Sequence, residues 1–273
     1  MDLTHRQNLQ NLLNQRDLRP QKRLGQNFLI DSSLPRVLAT AVRAKPEDTV
    51  LEIGPGIGAI TQALAVCARR VVAVEKDRAM VGILKETLAS FKNIEVVQGD
   101  ILRIPLSELH LPASYLLAGN LPFYLTAPVI RRFLETSEAK PRTMAFVVQK
   151  EVAQRICAKP PQMSILANAV QFYADPKIIS LVPKKSFFPQ PKVDAALITI
   201  TPRRESRGDD KAFFQIVKAG FTHPRKQLLN NLTQGLKKKK EDVAVWLKKN
   251  NINPEQRAET LSVEDWMRLT VNC

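Results

Sequence analysis

Cysteine is scarce in this chain of 273 residues. Cys67, Cys157 and Cys273 match no metal-ligand spacing and lie too far apart for a disulfide framework. They read as reduced thiols, so a cytoplasmic protein without a bound metal is expected. Aromatic residues make up only 6% of the chain, which excludes a broad stacking surface; any stacking must come from a few placed rings. No apolar run approaches the length of a membrane span, and no membrane partner is expected. The opening residues, "MDLTHRQNLQNLLNQRDLRPQKR", lack the hydrophobic stretch of a secretory signal. Negative charge is short as well: 26 Asp and Glu face 41 Lys and Arg, leaving a formal +15. That excess points to a polyanionic partner, because Lys and Arg neutralise phosphates and release condensed counterions.

What is present suits a sizeable core, with 44% hydrophobic residues. Short β-rich runs recur at 48–53, 70–75, 93–98, 114–119 and 143–150, with helical patterning between them at 59–68 and 77–90. Such alternation predicts an α/β fold, a parallel sheet covered by helices on both faces. Two further β runs, "KIISLVP" (177–183) and "VDAALITITP" (193–202), have no obvious helix between them and are expected to pair at the sheet edge. Beyond "PRRESRGDDK" (202–211) the pattern turns helical, and residues 203–273 carry fifteen Lys and Arg against nine Asp and Glu. The expected division is a first domain over 1–204, including an N-terminal extension over 1–19, and a small all-helical domain over 205–273.

The sharpest local signal is "VLEIGPGIGAIT" (50–61), a hydrophobic strand running into Gly54, Gly56 and Gly58 and then a helical pattern. Glycines there let the backbone turn tightly and approach a ligand. The spacing is G-x-G-x-G rather than the G-x-G-x-x-G of a dinucleotide cradle, which disfavours a nicotinamide dehydrogenase. The next strand ends in Glu75, 21 residues beyond Gly54, where a carboxylate can accept both hydroxyls of a ribose. The third ends near Asp100, which can accept the exocyclic amine of an adenine, and the fourth at Asn120. Each acidic residue alone is more often a helix cap or a surface group. Four successive strand ends delivering Gly54, Glu75, Asp100 and Asn120 to one rim favour a nucleoside ligand without phosphates, such as S-adenosylmethionine.

After Asn120 comes "GNLPFYLT" (119–126). Asn and Pro are ordinary turn residues, but here they stand beside two aromatics at the same rim. The motifs "QKRLGQNFL" (21–29), "EIGPGIG" (52–58), "VEKD" (74–77), "NLPFY" (120–124), "FFPQPKVDAALITI" (187–200) and "FTHPRKQLLNNL" (221–232) occur in the order and spacing of the ribosomal RNA adenine dimethyltransferases. The chain resembles that family over nearly its whole length beyond residue 19, and most resembles its bacterial small-subunit (16S) branch. The resemblance implies a Rossmann-like S-adenosylmethionine-dependent methyltransferase sheet with a helical RNA-binding domain. It implies cofactor contacts at Asn27, Leu29, Gly54, Glu75, Asp100 and Asn120, of which Asn27 and Leu29 come from the resemblance alone. The implied substrate is a pair of adjacent adenosines in the 3′-terminal hairpin loop of 16S rRNA within a small-subunit precursor, and a monomer is expected.

The catalytic expectation follows from amine chemistry. An adenine amine is a poor nucleophile because its lone pair is delocalised into the ring. The Asn120 side-chain oxygen and the Leu121 carbonyl are acceptors that can bind its two hydrogens and turn the lone pair outward. Pro122 fixes the local backbone, Phe123 offers a ring face, and the resemblance adds Phe187 as a second ring. No dedicated general base is required. Phe123 stands where the family often has Tyr, and Tyr124 where the small-subunit enzymes usually have Asn. Two alternatives remain open at this point: an erythromycin-resistance-type 23S rRNA adenine methyltransferase, and an RNA-binding ribosome-assembly factor on the same scaffold.

Overall fold

The structure is a computed structural model that describes residues 2–136, 140–203 and 207–271. Its elements run α1 (Arg6–Asn14), β1 (Phe28–Leu29), α2 (Leu34–Val42), β2 (Thr49–Ile53), α3 (Ala59–Cys67), β3 (Arg70–Glu75), α4 (Arg78–Thr87), β4 (Ile94–Gln98), β5 (Leu116–Asn120), α5 (Thr126–Arg131), β6 (Thr143–Gln149), α6 (Lys150–Ile156), α7 (Ile165–Tyr173), β7 (Ala174–Val182), β8 (Phe187–Phe188) and β9 (Ala195–Pro202). Four helices follow: α8 (Asp210–Gly220), α9 (Leu228–Leu236), α10 (Lys240–Lys249) and α11 (Val263–Val271).

Seven strands form one sheet in the order β4-β3-β2-β5-β6-β9-β7. The first five are mutually parallel, and β9 runs antiparallel to β6. Every residue of β2 is buried, as is all of β3 but Arg70, because a parallel sheet carries cover on both faces and its central strands are mostly apolar. The two late β runs do lie at the sheet edge, β9 beside β6 and β7 outermost. A separate pair, β1 with β8, aligns Phe28 with Phe188 and Leu29 with Phe187. Helix α1 buries Leu9, Leu12 and Leu13 in a cluster with Phe28, Ile57, Met80 and Ile83, so the N-terminal extension belongs to the core rather than trailing from it. Before α2, which begins at Leu34, Asp31 accepts the Ser33 N–H and hydroxyl and makes the turn that leads into the helix.

The chain falls into two compact units, residues up to 153 with 177–202, and 154–176 with 203 onward. The expected division at 204/205 lies outside the described residues. The helical unit also takes in 154–176, which the sequence pattern assigns to the first domain. The physical reason is α7, whose Ala167 and Phe172 are buried in one cluster with Phe213, Val217, Leu247 and Trp266. Phe172 stacks on Phe213 with ring centroids 4.2 Å apart. In the "FTHPRKQLLNNL" stretch, the buried Asn231 donates to the carbonyls of Gly220 and His223, at 2.7 and 3.0 Å, and so ties the α8–α9 turn. Cys67 and Cys157 are free thiols, whereas Cys273 lies outside the described residues. No described helix is long and apolar enough to cross a membrane.

Candidate active site

The carboxyl ends of β2, β3 and β5 and the segment after β4 open onto one cavity of about 140 Å³. Gly54, Glu75, Asp100 and Asn120 all line it, as do Asn27 and Leu29 from the N-terminal side. Gly54 follows β2 with φ +66°, a left-handed conformation natural to glycine, and a β-carbon built on it would meet nothing within 4 Å. That space belongs to the cavity.

Glu75 ends β3 and is buried, with 8% exposure. Its Oε2 accepts from the Gly56 N–H at 3.2 Å and its Oε1 from the Asp77 N–H at 2.8 Å. The two bonds aim the carboxylate and leave lone pairs on both oxygens for ligand hydroxyls. Burial pushes this carboxyl above the usual range, although the Asp77 and Gly56 N–H groups pull against it. At Asp100, partial burial alone would raise the carboxyl, yet the Leu102 N–H and the Lys76 ammonium together hold it below the ordinary value. Lys76 donates to Asp100 Oδ2 at 3.0 Å, and it is the one cation among the described residues lining the cavity. A site whose only cation is already committed to a carboxylate, with a buried second carboxylate at its rim, is poorly made for a pyrophosphate. It suits a phosphate-free nucleoside with a cationic tail.

Asn120, the last residue of β5, is next to a smaller hollow lined by Leu121, Pro122, Phe123 and Phe187. Its Nδ2 donates to the Asn27 carbonyl at 2.9 Å, which leaves Oδ1 as the free acceptor. The Leu121 N–H donates to the Val147 carbonyl at 3.1 Å and fixes the peptide that follows Asn120. The hollow measures about 20 Å³, room for a single water rather than a purine. Phe187 forms part of its wall but is 4% exposed and packed in the main core, whereas Phe123 is 43% exposed. The two expected rings are therefore unequal: Phe123 presents a face to solvent, and Phe187 is a buried wall.

Several contributors escape sequence reasoning. Asp77 caps α4 by accepting from Ala79 N, and its other oxygen accepts from Gln21 and Gln26. The Arg132 guanidinium donates to the carbonyls of Ile101 and Ile104 and braces the loop after Asp100. Both Gln residues stand in the "QKRLGQNFL" stretch, but neither residue type announces its partner. Arg132 carries no motif at all.

The arrangement is that of a class: a Rossmann-like sheet whose strand ends open onto a cavity beside an Asn-Leu-Pro-Phe turn. Residues 18–272 match the family model described as ribosomal RNA adenine dimethylase, and the chain belongs to that family. It is 41% identical over 256 residues to the ribosomal RNA small subunit methyltransferase A of Dehalococcoides mccartyi, covering 92% of this chain and 88% of that one. It is 38% identical to the protein of the same name from Geobacillus thermodenitrificans, covering 91% and 89%. Among solved structures, the 23S rRNA methyltransferase ErmE superposes with a TM-score of 0.75 at 27% identity, over 90% of this chain and 99% of that one. A dimethyladenosine transferase from Plasmodium falciparum shares the fold, with a TM-score of 0.74 at 23% identity over 89% and 95%.

Proposed function

We propose that this protein transfers methyl groups from S-adenosylmethionine to the 6-amino groups of two adjacent adenosines in the 3′-terminal hairpin loop of 16S rRNA, in a small-subunit precursor. The observation that carries the chemistry is the Asn120 amide, held by one end at the junction of a nucleoside cavity and an aromatic-edged hollow. Identity near 40% to small-subunit enzymes supports 16S over 23S rRNA as the substrate, against 27% to a large-subunit one. An assembly factor without chemistry has no use for the complete set of cofactor-side residues.

Glu75 would hold the ribose hydroxyls and Asp100 the adenine amine of the methyl donor, with Asn27 and Leu29 closing the opposite side. When bound, S-adenosylmethionine supplies an electrophilic methyl group on a positively charged sulfur, and the acidic rim suits that charge. Asn120 Oδ1 and the Leu121 carbonyl accept the two N–H groups of the target amine and turn its lone pair toward the cavity. The amine nitrogen becomes acidic as it is alkylated, and its proton leaves to water. Alignment and fixed dipoles therefore do the work that a general base does elsewhere. The hollow is too small for a purine, so an extruded adenine rests on the exposed Phe123, with Phe187 as the wall behind. The basic helical unit is the grip on rRNA, and the protein acts as a cytoplasmic monomer. Mass spectrometry of both ribosomal RNAs from cells with and without the protein tests this. Loss of dimethyladenosine from the 16S hairpin is expected; a change confined to 23S rRNA would replace the substrate assignment.

A further inference from the structure

A side-chain amide has two ends of nearly equal shape and opposite hydrogen-bonding character. Asn120 serves an amine only with its oxygen end facing the substrate, so something must choose the orientation. The choice falls to the Asn27 carbonyl, which accepts from Nδ2 at 2.9 Å across 93 residues of sequence. Turning the amide over would set Oδ1 against that carbonyl, two acceptors with no hydrogen between them, and would point a donor at the incoming amine.

The carbonyl can select only if it stays in place, and residues 21–29 are pinned on both sides of it. Gln26, the preceding residue, donates through Nε2 to Asp77 Oδ2 at 2.8 Å, and Gln21 donates to the same oxygen at 3.1 Å. The other end of the Gln26 amide accepts from the Gln21 N–H at 2.9 Å, which closes the loop on itself. Asp77 is a firm anchor: it is 9% exposed, its Oδ1 caps α4, and its own N–H supports Glu75. Gly25 has φ +64°, and a β-carbon there would come within 2.9 Å of Pro122 Cβ, so this backbone lies directly against the turn that carries Asn120. On the far side, Phe28 and Leu29 pair with Phe188 and Phe187.

We propose that Gln26 and Asp77 form a latch that holds the Asn27 carbonyl and thereby fixes the Asn120 amide with its oxygen toward the target base. Gln26 and Asp77 are positioning residues for methyl transfer, and this role rests on the adenine methyltransferase function above. It couples the two sites: Asp77 stands beside the residue that would hold the methyl donor's ribose, and the latch ends at the residue that aligns the acceptor.

Two substitutions cut the latch from opposite sides. Asp77→Ser keeps a capping oxygen for α4 and removes the second acceptor, and Gln26→Ala removes a half-buried amide. Single-turnover transfer to small-subunit particles, at saturating S-adenosylmethionine and RNA, should slow by about 10- to 100-fold in each, as expected for misplaced reacting groups. Calorimetric affinity for S-adenosylmethionine should fall by less than the rate does, and circular dichroism should show both variants folded at the assay temperature. In an Asn120→Ala background, Gln26→Ala should have no further effect, because the residue it acts through is gone. An unchanged rate, a loss confined to cofactor affinity, or an equal further loss in the Asn120→Ala background overturns the latch. If Asp77→Ser does not fold, Gln26→Ala decides alone. A wild-type protein that transfers no methyl to small-subunit RNA rejects the function and the latch together; wild-type transfer with an unaffected Gln26→Ala rejects only the latch.

Discussion

Glu75 carries two demands at once in the proposed function, which needs it charged to hold a ribose, because it is buried where charge is costly. Glu75→Ala should weaken S-adenosylmethionine binding by roughly 1.5–3 kcal/mol, the range for hydrogen bonds to a charged group; calorimetry on the folded variant measures it, and unchanged affinity rejects the ribose role. Because burial raises this carboxyl, affinity should also fall on acidification before an ordinary surface carboxylate would titrate. On the neighbouring strand β2, Glu52 is fully buried, and the Thr61 hydroxyl beside it offsets only part of the cost of burying its charge. Burial pushes the Glu52 carboxyl from 4.5 up to about 8. Between those values the folded chain holds a proton that the unfolded chain has lost, so this group's contribution is full at low pH and declines as pH rises to about 8. The decline should be on the order of 1 kcal/mol per pH unit. Glu52→Gln removes it, and urea unfolding from pH 5 to pH 8 should show wild type losing ground to the variant steadily; a constant difference would mean Glu52 is not the titrating group. Phe187 needs a gentler change than truncation. Phe187→Ala in this core position should cost about 3–5 kcal/mol of stability, so Phe123→Ala, at an exposed ring, is the cleaner test of base stacking.

At the scale of elements, α1 does more than extend the chain. Leu9 is completely buried against a cluster that includes Phe28, next to Asn27, and Ile57, in the glycine turn. Leu9→Ala should destabilise by about 2–5 kcal/mol and weaken cofactor binding along with it; denaturant unfolding and calorimetry together check both, and a loss of stability with intact affinity would separate α1 from the site. This helix illustrates what could be read beforehand. The five parallel strands were legible within a residue or two at their ends because they are short runs of apolar and β-branched residues punctuated by Gly, Asp and Asn, even at the edge strand β4, none of whose residues is fully buried. The rim residues Gly54, Glu75, Asp100 and Asn120 were legible because each ends such a run. Asn27 and Leu29 were accessible only through resemblance, since nothing local marks "QNFL" as the far wall of a cavity. Asp77's second oxygen, Gln21 and Gln26 were invisible because their contacts span more than 50 residues and involve side chains that cap or solvate elsewhere. The membership of 154–176 in the helical unit was hidden for the same reason: α7 has an apolar face, and sequence periodicity does not say which core receives it.

For the molecule as a whole, that membership changes how the basic region should be tested. Removing residues from 203 onward would strip the cover from Phe172 and Ala167, so the shortened protein should aggregate whether or not the region binds RNA. Replacing the exposed Arg225, Lys226, Lys237 and Lys239 by Gln leaves that core untouched. Affinity for small-subunit particles should fall, and the slope of log affinity against log salt should shrink by about 0.7–0.9 for each phosphate no longer neutralised. Filter binding across a salt series measures this, and an unaltered slope would move the RNA grip elsewhere. The order of strands in the sheet has a consequence in time. Strand β9, the last to be made, lies between β6 and β7, which are made before it. A ribosome that has finished β6 at Gln149 must add 53 more residues before β9 ends at Pro202, a wait of roughly 3–11 seconds at synthesis rates of about 5–20 residues per second. Throughout that interval the growing chain holds an apolar strand with one open hydrogen-bonding edge, the form in which one nascent copy can most readily pair with another.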